Sequence, residues 1–205
     1  MNTLLKIQTS LTGSKGQSSQ LADRFVRAWL AKHPGGRVIT RDLSVDAVPH
    51  LTAERFQAFA TRAEDRTAEQ QSVVAYSDAL IDEVRNADTI VLAVPMYNFS
   101  VPSTLRAYFD HIARAGVTFG YTSSGPEGLI AGKQAYVFVT RGGIHAGAAD
   151  TQTPYLRQFL GFIGIKDVEF VYAEGLAYGE EVREKSLNSA HQAIANLLVP
   201  QAIAA

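Results

Sequence analysis

The chain has 205 residues, of which 46% are hydrophobic and 19% charged, the profile of one globular domain. A domain of that size buries roughly 70% of its unfolded surface. Nineteen Lys and Arg against twenty Asp and Glu leave a formal net charge of −1, with no electrostatic footprint for nucleic acid or an anionic membrane, and the lack of cysteine excludes disulfides, thiolate metal ligation and thiol catalysis.

Leu4 to Thr9 reads as a first strand, followed by a polar loop, Ser10 to Ser18, that opens a helix from about Ser19 to Ala31. After Pro34-Gly35-Gly36, Arg37 to Leu43 alternates as an edge strand does. Thr67-Ala68-Glu69-Gln70 has capping-box spacing, and Val73, Tyr76, Leu80 and Val84 recur on one helical face. Thr89 to Val94 is an unbroken apolar run, expected of a parallel strand covered on both faces. Pro102 fits the first position of the next helix, whose inner stripe is Leu105, Tyr108, Phe109 and Ile112. Gln134 to Thr140 is another buried strand and Thr151 to Ile163 a helix facing inward through Leu156, Phe159, Leu160 and Ile163. Asp167 to Ala173 reads as a second edge strand, and Glu180 to Leu198 as a last helix through Leu187, Ala190, Ile194 and Leu197.

Such alternation predicts a single doubly wound α/β domain over residues 1–205, with five parallel strands in the flavodoxin-like order 2-1-3-4-5 and helices on both faces. Two segments exceed simple connections: Ser44 to Arg66, with Phe56 and Phe59, and Gly116 to Lys133, with Phe119, Tyr121 and Gly125-Pro126. Excursions of that length often form lids or contact surfaces. No apolar run reaches the length of a membrane span and the first residues lack signal-peptide character, so the expectation is a cytoplasmic protein.

Three loops meet at the strand ends of this fold, where open α/β sheets bind ligands. Ser10 to Ser18 leads into a helix N-terminus, an anion site matched to one phosphate through Ser10, Gly16, Gln17 and Ser18; a plain Ser/Thr cap is the competing reading. Pro95-Met96-Tyr97-Asn98-Phe99-Ser100 offers stiff backbone and aromatic rings for a flat conjugated ligand, which points to a flavin. Thr140-Arg141-Gly142-Gly143 brings a glycine pair whose backbone can approach a ligand edge, a plain turn being the competing reading, with His145 beside the ligand or merely solvated. Neither a triphosphate-binding G-x-x-x-x-G-K-[ST] nor a G-x-G-x-x-G is present, and the first strand ends on Thr9 and Ser10 rather than the acidic cluster of a phospho-accepting regulator. Flavin mononucleotide (FMN) fits best.

At these residues the chain resembles the flavin-dependent azoreductases, also described as NADH:quinone oxidoreductases. The motifs that carry the resemblance are PMYNFSVPSTLRAYFDHIARAGVTFGYT (Pro95 to Thr122), GPEGLIAGK (Gly125 to Lys133), TRGGIH (Thr140 to His145), LGFIGI (Leu160 to Ile165) and EGLAYG (Glu174 to Gly179). It implies a homodimer of flavodoxin-like subunits, each with one noncovalent FMN. Ser10 and Gly16-Gln17-Ser18 would hold the phosphate. Met96 to Phe99 would line the isoalloxazine, and Thr140 to Gly143 its pyrimidine side. Gly16 stands where the family frequently has serine, which loses a hydroxyl contact. The resemblance also implies a substrate pocket across the dimer interface, reached by Tyr121 and Phe162, with Phe56 and Phe59 in a variable wall. Core packing is the competing reading for Phe162.

The implied reaction is two-electron transfer from NADH or NADPH to quinones and to aromatic azo compounds. Hydride passes to flavin N5, and donor and acceptor use the same face in turn, so the kinetics would be ping-pong. No side chain is an obligatory catalyst and no metal is expected. The alternatives are a flavodoxin-type electron carrier, disfavoured by the balanced charge, and a free-flavin reductase. Arg55, Arg62 and Arg66 could meet a cofactor phosphate or be surface charges.

Overall fold

The computed structural model describes residues 2–145, 147 and 150–197. In chain order it contains β1 (Thr3–Gln8), α1 (Gln17–Lys32), β2 (Arg37–Asp42), α2 (Ala53–Ala60), α3 (Ala68–Asn86), β3 (Thr89–Pro95), α4 (Ser103–Ile112), β4 (Phe119–Thr122), β5 (Gly125–Gly128), β6 (Gln134–Thr140), α5 (Gln152–Ile163), β7 (Asp167–Ala173) and α6 (Glu180–Leu197). Five strands form one parallel sheet in the order β2-β1-β3-β6-β7, which is 2-1-3-4-5 of the main sheet and a flavodoxin-like fold.

Alternation along the central strands divides the core. From β3, Val91 and Ala93 point into the layer formed by Leu21, Phe25 and Trp29 of α1 and Ala190 and Ile194 of α6. Ile90, Leu92 and Val94 point the other way, against Leu80, Ile81 and Val84 of α3, Leu105 and Tyr108 of α4, and Leu156 and Leu160 of α5. With both faces covered, every residue of β3 is buried. Among the described residues no helix is long and apolar enough to cross a membrane.

Several expectations shift by a residue or two. The first helix starts at Gln17 rather than Ser19, and Pro102 is the N-cap of α4 rather than its first residue. Thr67 and Gln70 do form a capping box. The buried side of α3 is Val74, Ser77, Leu80, Ile81 and Val84, while Val73 and Tyr76 are only half-buried. The stripe turns because Ser77 is sunk into the protein by polar contacts: its hydroxyl donates to the His111 carbonyl at 2.6 Å and receives a hydrogen bond from Arg114 at 3.2 Å. Leu198 of the expected last helix lies outside the described residues. The two long excursions contain α2 and the antiparallel β4-β5 hairpin, elements without a counterpart in the alternating pattern.

Candidate functional site

The first wall of the site is the loop after β1. Thr9 Oγ1 donates to the Ala93 carbonyl at 2.8 Å, clamping the strand end to β3. The Ser10 and Thr12 hydroxyls lie 3.0 Å apart, and the Leu11 N–H donates to the Tyr97 hydroxyl at 3.2 Å, tying this loop to the next. Gly16 is the N-cap of α1 and supplies no side-chain cap, so the first-turn N–H groups remain open. Ser18 and Ser19 are fully buried, and neither hydroxyl has a hydrogen-bond partner among the described residues. Buried hydroxyls normally find partners, so their lack of one marks a place prepared for an acceptor.

The second wall follows β3. Met96 N–H donates to the Thr140 carbonyl at 2.8 Å, while Tyr97 and Ser100 exchange backbone hydrogen bonds at 3.0 Å in both directions. The two residues between them, Asn98 and Phe99, have φ of 48° and 64°. Positive φ at both central positions is the signature of a type I′ turn, which favours glycine and tolerates Asn. A phenylalanine there is strained, and its ring is 69% exposed.

The third wall is held by Arg141. Its side chain, 1% exposed, donates to Glu174 at 2.9 Å, Asp150 at 2.7 Å, Gln152 at 3.2 Å and Thr153 at 3.1 Å, and lies over the Tyr172 ring. Burial pushes the Asp150 carboxyl upward, but the Thr153 hydroxyl and N–H and the Arg141 guanidinium outweigh it, and the group titrates below the ordinary carboxylate range. The side chain of Arg141 is therefore a brace. Gly142 and Gly143 are left to face a ligand, and neither N–H has a partner among the described residues. A Cβ on Gly143 would stand 2.8 Å from His145 Nε2, so a side chain there would have to displace the imidazole. The His145 ring stands edge-on to Phe99 at 5.8 Å.

A cleft of about 700 Å³ lies between the first and second walls, lined by Leu11, His50, Met96, Tyr97 and Asn98 among others. A smaller hollow of about 240 Å³ adjoins it between Met96, Asn98, Phe99, Gly142 and His145.

A family model described as a flavodoxin-like fold matches residues 2–198. An FMN-dependent NADH:quinone oxidoreductase of Cellvibrio japonicus is 57% identical over 182 residues, 88% of this chain and 92% of that protein. The chain belongs to the FMN-dependent NADH:quinone oxidoreductase family. Solved structures agree on the fold: an azoreductase from Bacillus anthracis str. Sterne has a TM-score of 0.89 at 26% identity, covering 97% of this chain and 99% of that one. An FMN-dependent NADH-azoreductase from Bacillus anthracis str. Ames Ancestor, solved in complex with FMN, has a TM-score of 0.83 at 26% identity, covering 97% and 100%.

In this oxidoreductase fold the aromatic residues expected at a substrate pocket fall into a separate apolar hollow. Phe56, Phe59 and Tyr121 share with Leu51, Phe119 and Arg114 a space of about 300 Å³ that has no lining residue in common with the strand-end cleft. Phe56 and Tyr121 are 63% and 76% exposed. Phe59 is half-buried, with the Arg114 guanidinium 5.0 Å above its ring and the His111 ring edge-on. Phe162 does not line the hollow; it packs on Phe119 at 4.2 Å, and Phe119 in turn meets Tyr121.

Asp150, Gln152 and Glu174 enter the site without having been anticipated. Asp150 carries a readable local signal, because its carboxylate accepts from the N–H groups of Gln152 and Thr153 as a helix cap does. Glu174, 33 residues from Arg141, carries none.

Proposed function

We propose that the chain binds one FMN per subunit and carries two electrons from NADH to quinones, and also to aromatic azo compounds, in a homodimer. The observation that carries this reading is the uncapped N-terminus of α1 with the buried, unpartnered Ser18 and Ser19 hydroxyls behind it. Free N–H groups, the helix dipole and spare hydroxyls together suit a phosphate monoester. The glycine arch and the aromatic turn face each other across the smaller hollow that adjoins the cleft, so the residues present fit FMN.

Ser10, Gly16, Gln17 and Ser18 would hold the phosphate. Pro95, Met96, Tyr97, Asn98 and Phe99 would flank the ring system from one side, and Thr140, Gly142, Gly143 and His145 from the other, with Arg141 acting from behind through the loop it braces. When bound, FMN supplies the two-electron chemistry, taking hydride from the reduced nicotinamide and passing electrons to the acceptor. The protein binds and orients: open N–H groups on Asn98, Gly142 and Gly143 offer donors to a polar ring edge. Because one open face serves donor and acceptor in turn, the kinetics are ping-pong. The exposed hollow around Phe56 and Tyr121 supports a second subunit there, with Tyr121 reaching toward the neighbour's acceptor and Phe162 behind it through Phe119.

Steady-state kinetics of the FMN-loaded chain, with NADH and NADPH against a panel of quinones and a carboxylated azo dye, test the reading. Parallel double-reciprocal lines and yellow colour retained through gel filtration are expected. Rapid reduction by a protein partner but not by nicotinamide would instead indicate an electron carrier, and flavin that separates from the protein on gel filtration a free-flavin reductase.

A further inference from the structure

The Arg141 brace has an asymmetry that its ion pairs alone do not explain. One oxygen, Glu174 Oε1, accepts from Arg141 Nη1 at 2.9 Å and from the His145 N–H at 2.9 Å. Those donors sit at the two ends of the arch that contains Gly142 and Gly143. A single carboxylate oxygen thus pins both feet of the arch. The same guanidinium reaches the opposite wall: Arg141 Nε donates to Gln152 Oε1 at 3.2 Å, and Gln152 Nε2 donates to the Pro95 carbonyl at 3.1 Å. The chain Glu174–Arg141–Gln152–Pro95 therefore spans from the end of β7 to the end of β3, behind the cleft, and its central residue is buried.

We propose that Glu174 and Gln152 are positioning residues for the cofactor: through Arg141 they fix the spacing between the Gly142-Gly143 arch and the Met96–Phe99 turn, and so set FMN affinity and the balance between its oxidised and reduced forms. This rests on the FMN reading above. Among the described residues, the backbone of the arch is otherwise held from the β7 side: Arg141 N–H donates to the Ala173 carbonyl, and the N–H groups of Leu176, Ala177 and Gly175 donate to the carbonyls of Arg141, Gly142 and Gly143. Those bonds fix its height over β7 but not its distance from β3. The Met96 N–H bond to the Thr140 carbonyl fixes the two strand ends, and beyond it, among the described residues, the side-chain relay ties the arch to β3. Hydrogen-bond donors to a redox ring act through placement, and a loosened arch presents them less well to the more electron-rich form.

Two substitutions separate reach from charge. Glu174→Asp keeps the charge and draws the oxygen back by one methylene, so it can no longer serve both donors. Glu174→Gln keeps the reach and an acceptor oxygen while losing the charge. FMN dissociation constants are measured by flavin fluorescence for oxidised and reduced cofactor, with the midpoint potential taken by dye equilibration and apoprotein melting as a control. We expect Glu174→Asp to weaken oxidised FMN at least tenfold and to change the oxidised-to-reduced affinity ratio about tenfold, a shift of about 30 mV for a two-electron couple. Glu174→Gln stays within threefold of wild type. Gln152→Ala, which cuts the tie to Pro95 and leaves Glu174 intact, moves both readouts in the same direction as Glu174→Asp and serves if that variant does not fold. Melting temperatures that fall while affinity and potential stay at wild-type values would reduce the relay to a structural brace and overturn the proposal. If wild-type protein binds no FMN, it is the proposed function that fails.

Discussion

A Cβ placed on Gly16 would stand 2.1 Å from Ser10 Oγ and 2.5 Å from Ser10 Cβ, so these two residues share the space of one side chain. The backbone of Gly16, at φ −66° and ψ 141°, would accept any residue; the conflict is with its neighbour. The absent serine hydroxyl at position 16 therefore has a counterpart, the hydroxyl that Ser10 projects into the same volume. Gly16→Ser should displace Ser10 and break its contact with Thr12, an overpacking cost of about 1–3 kcal/mol. FMN affinity should fall roughly tenfold or more, as such a cost implies. The double variant Ser10→Gly/Gly16→Ser should recover most of it. Isothermal titration with FMN distinguishes the two, and equal weakening in both would show that the shared volume does not matter.

The parts of the molecule governed by period and apolar contrast were legible in the chain. The strands Gln134–Thr140 and Asp167–Ala173 match their expected bounds, because both lie between polar or glycine-rich punctuation. What failed was anything set by polar burial or by distant partners. Ser77 turns the face of α3 inward because two polar groups meet it, which a hydrophobic pattern has no way to register. The short helix Ala53–Ala60 buries only Ala58, and β5 runs through Gly125 and Pro126, so neither carries a periodic signal. At the site, the three loops could be read from composition. The role of Arg141 could not, since its carboxylate partners at 150 and 174 are placed by the fold.

The turn at Asn98-Phe99 sets stability against function. Phe99→Gly would produce Asn-Gly, the pair most suited to positive φ at both central positions. The mostly exposed ring gives up little buried surface, and the relieved strain exceeds the entropy lost with glycine. The apoprotein should gain up to about 1 kcal/mol in urea denaturation. The acceptor KM should rise severalfold because the aromatic face is gone. A variant less stable than wild type would mean that the edge contact with His145 outweighs the strain.

His111 makes stability depend on pH. It is fully buried, its Nδ1 donates to the Ala107 carbonyl at 3.0 Å, and Nε2 has no partner among the described residues. Burial holds its pKa below the ordinary 6.5, with Arg55 acting in the same direction and the Ala107 bond and Asp110 opposing. The unfolded chain therefore takes up a proton first as the pH falls below about 6.5, and stability declines from there until the folded pKa is passed, by at most about 1.4 kcal/mol per pH unit. His111→Asn, which keeps a donor for Ala107, should flatten the melting profile between pH 7 and 5.5. A residual slope should remain from His191, whose pKa is also lowered by burial and by Arg24. An unchanged slope in the variant would place the titration elsewhere.

Phe56 and Tyr121 decide whether the apolar hollow between α2 and the β4-β5 hairpin is an interface. In a single chain both rings are mostly exposed, and truncating such residues changes stability by no more than about 0.5 kcal/mol. If a second subunit covers them, Phe56→Ala and Tyr121→Ala should weaken association and make the melting temperature fall on dilution, as expected when folding is linked to assembly. The quinone KM should rise severalfold in Tyr121→Ala, while FMN affinity, set by the strand-end loops, stays near wild type. Sedimentation equilibrium of wild type and both variants, read alongside quinone kinetics, makes the comparison. Unaltered association and KM in both variants would leave Phe56 and Tyr121 as surface residues and the hollow outside the reaction.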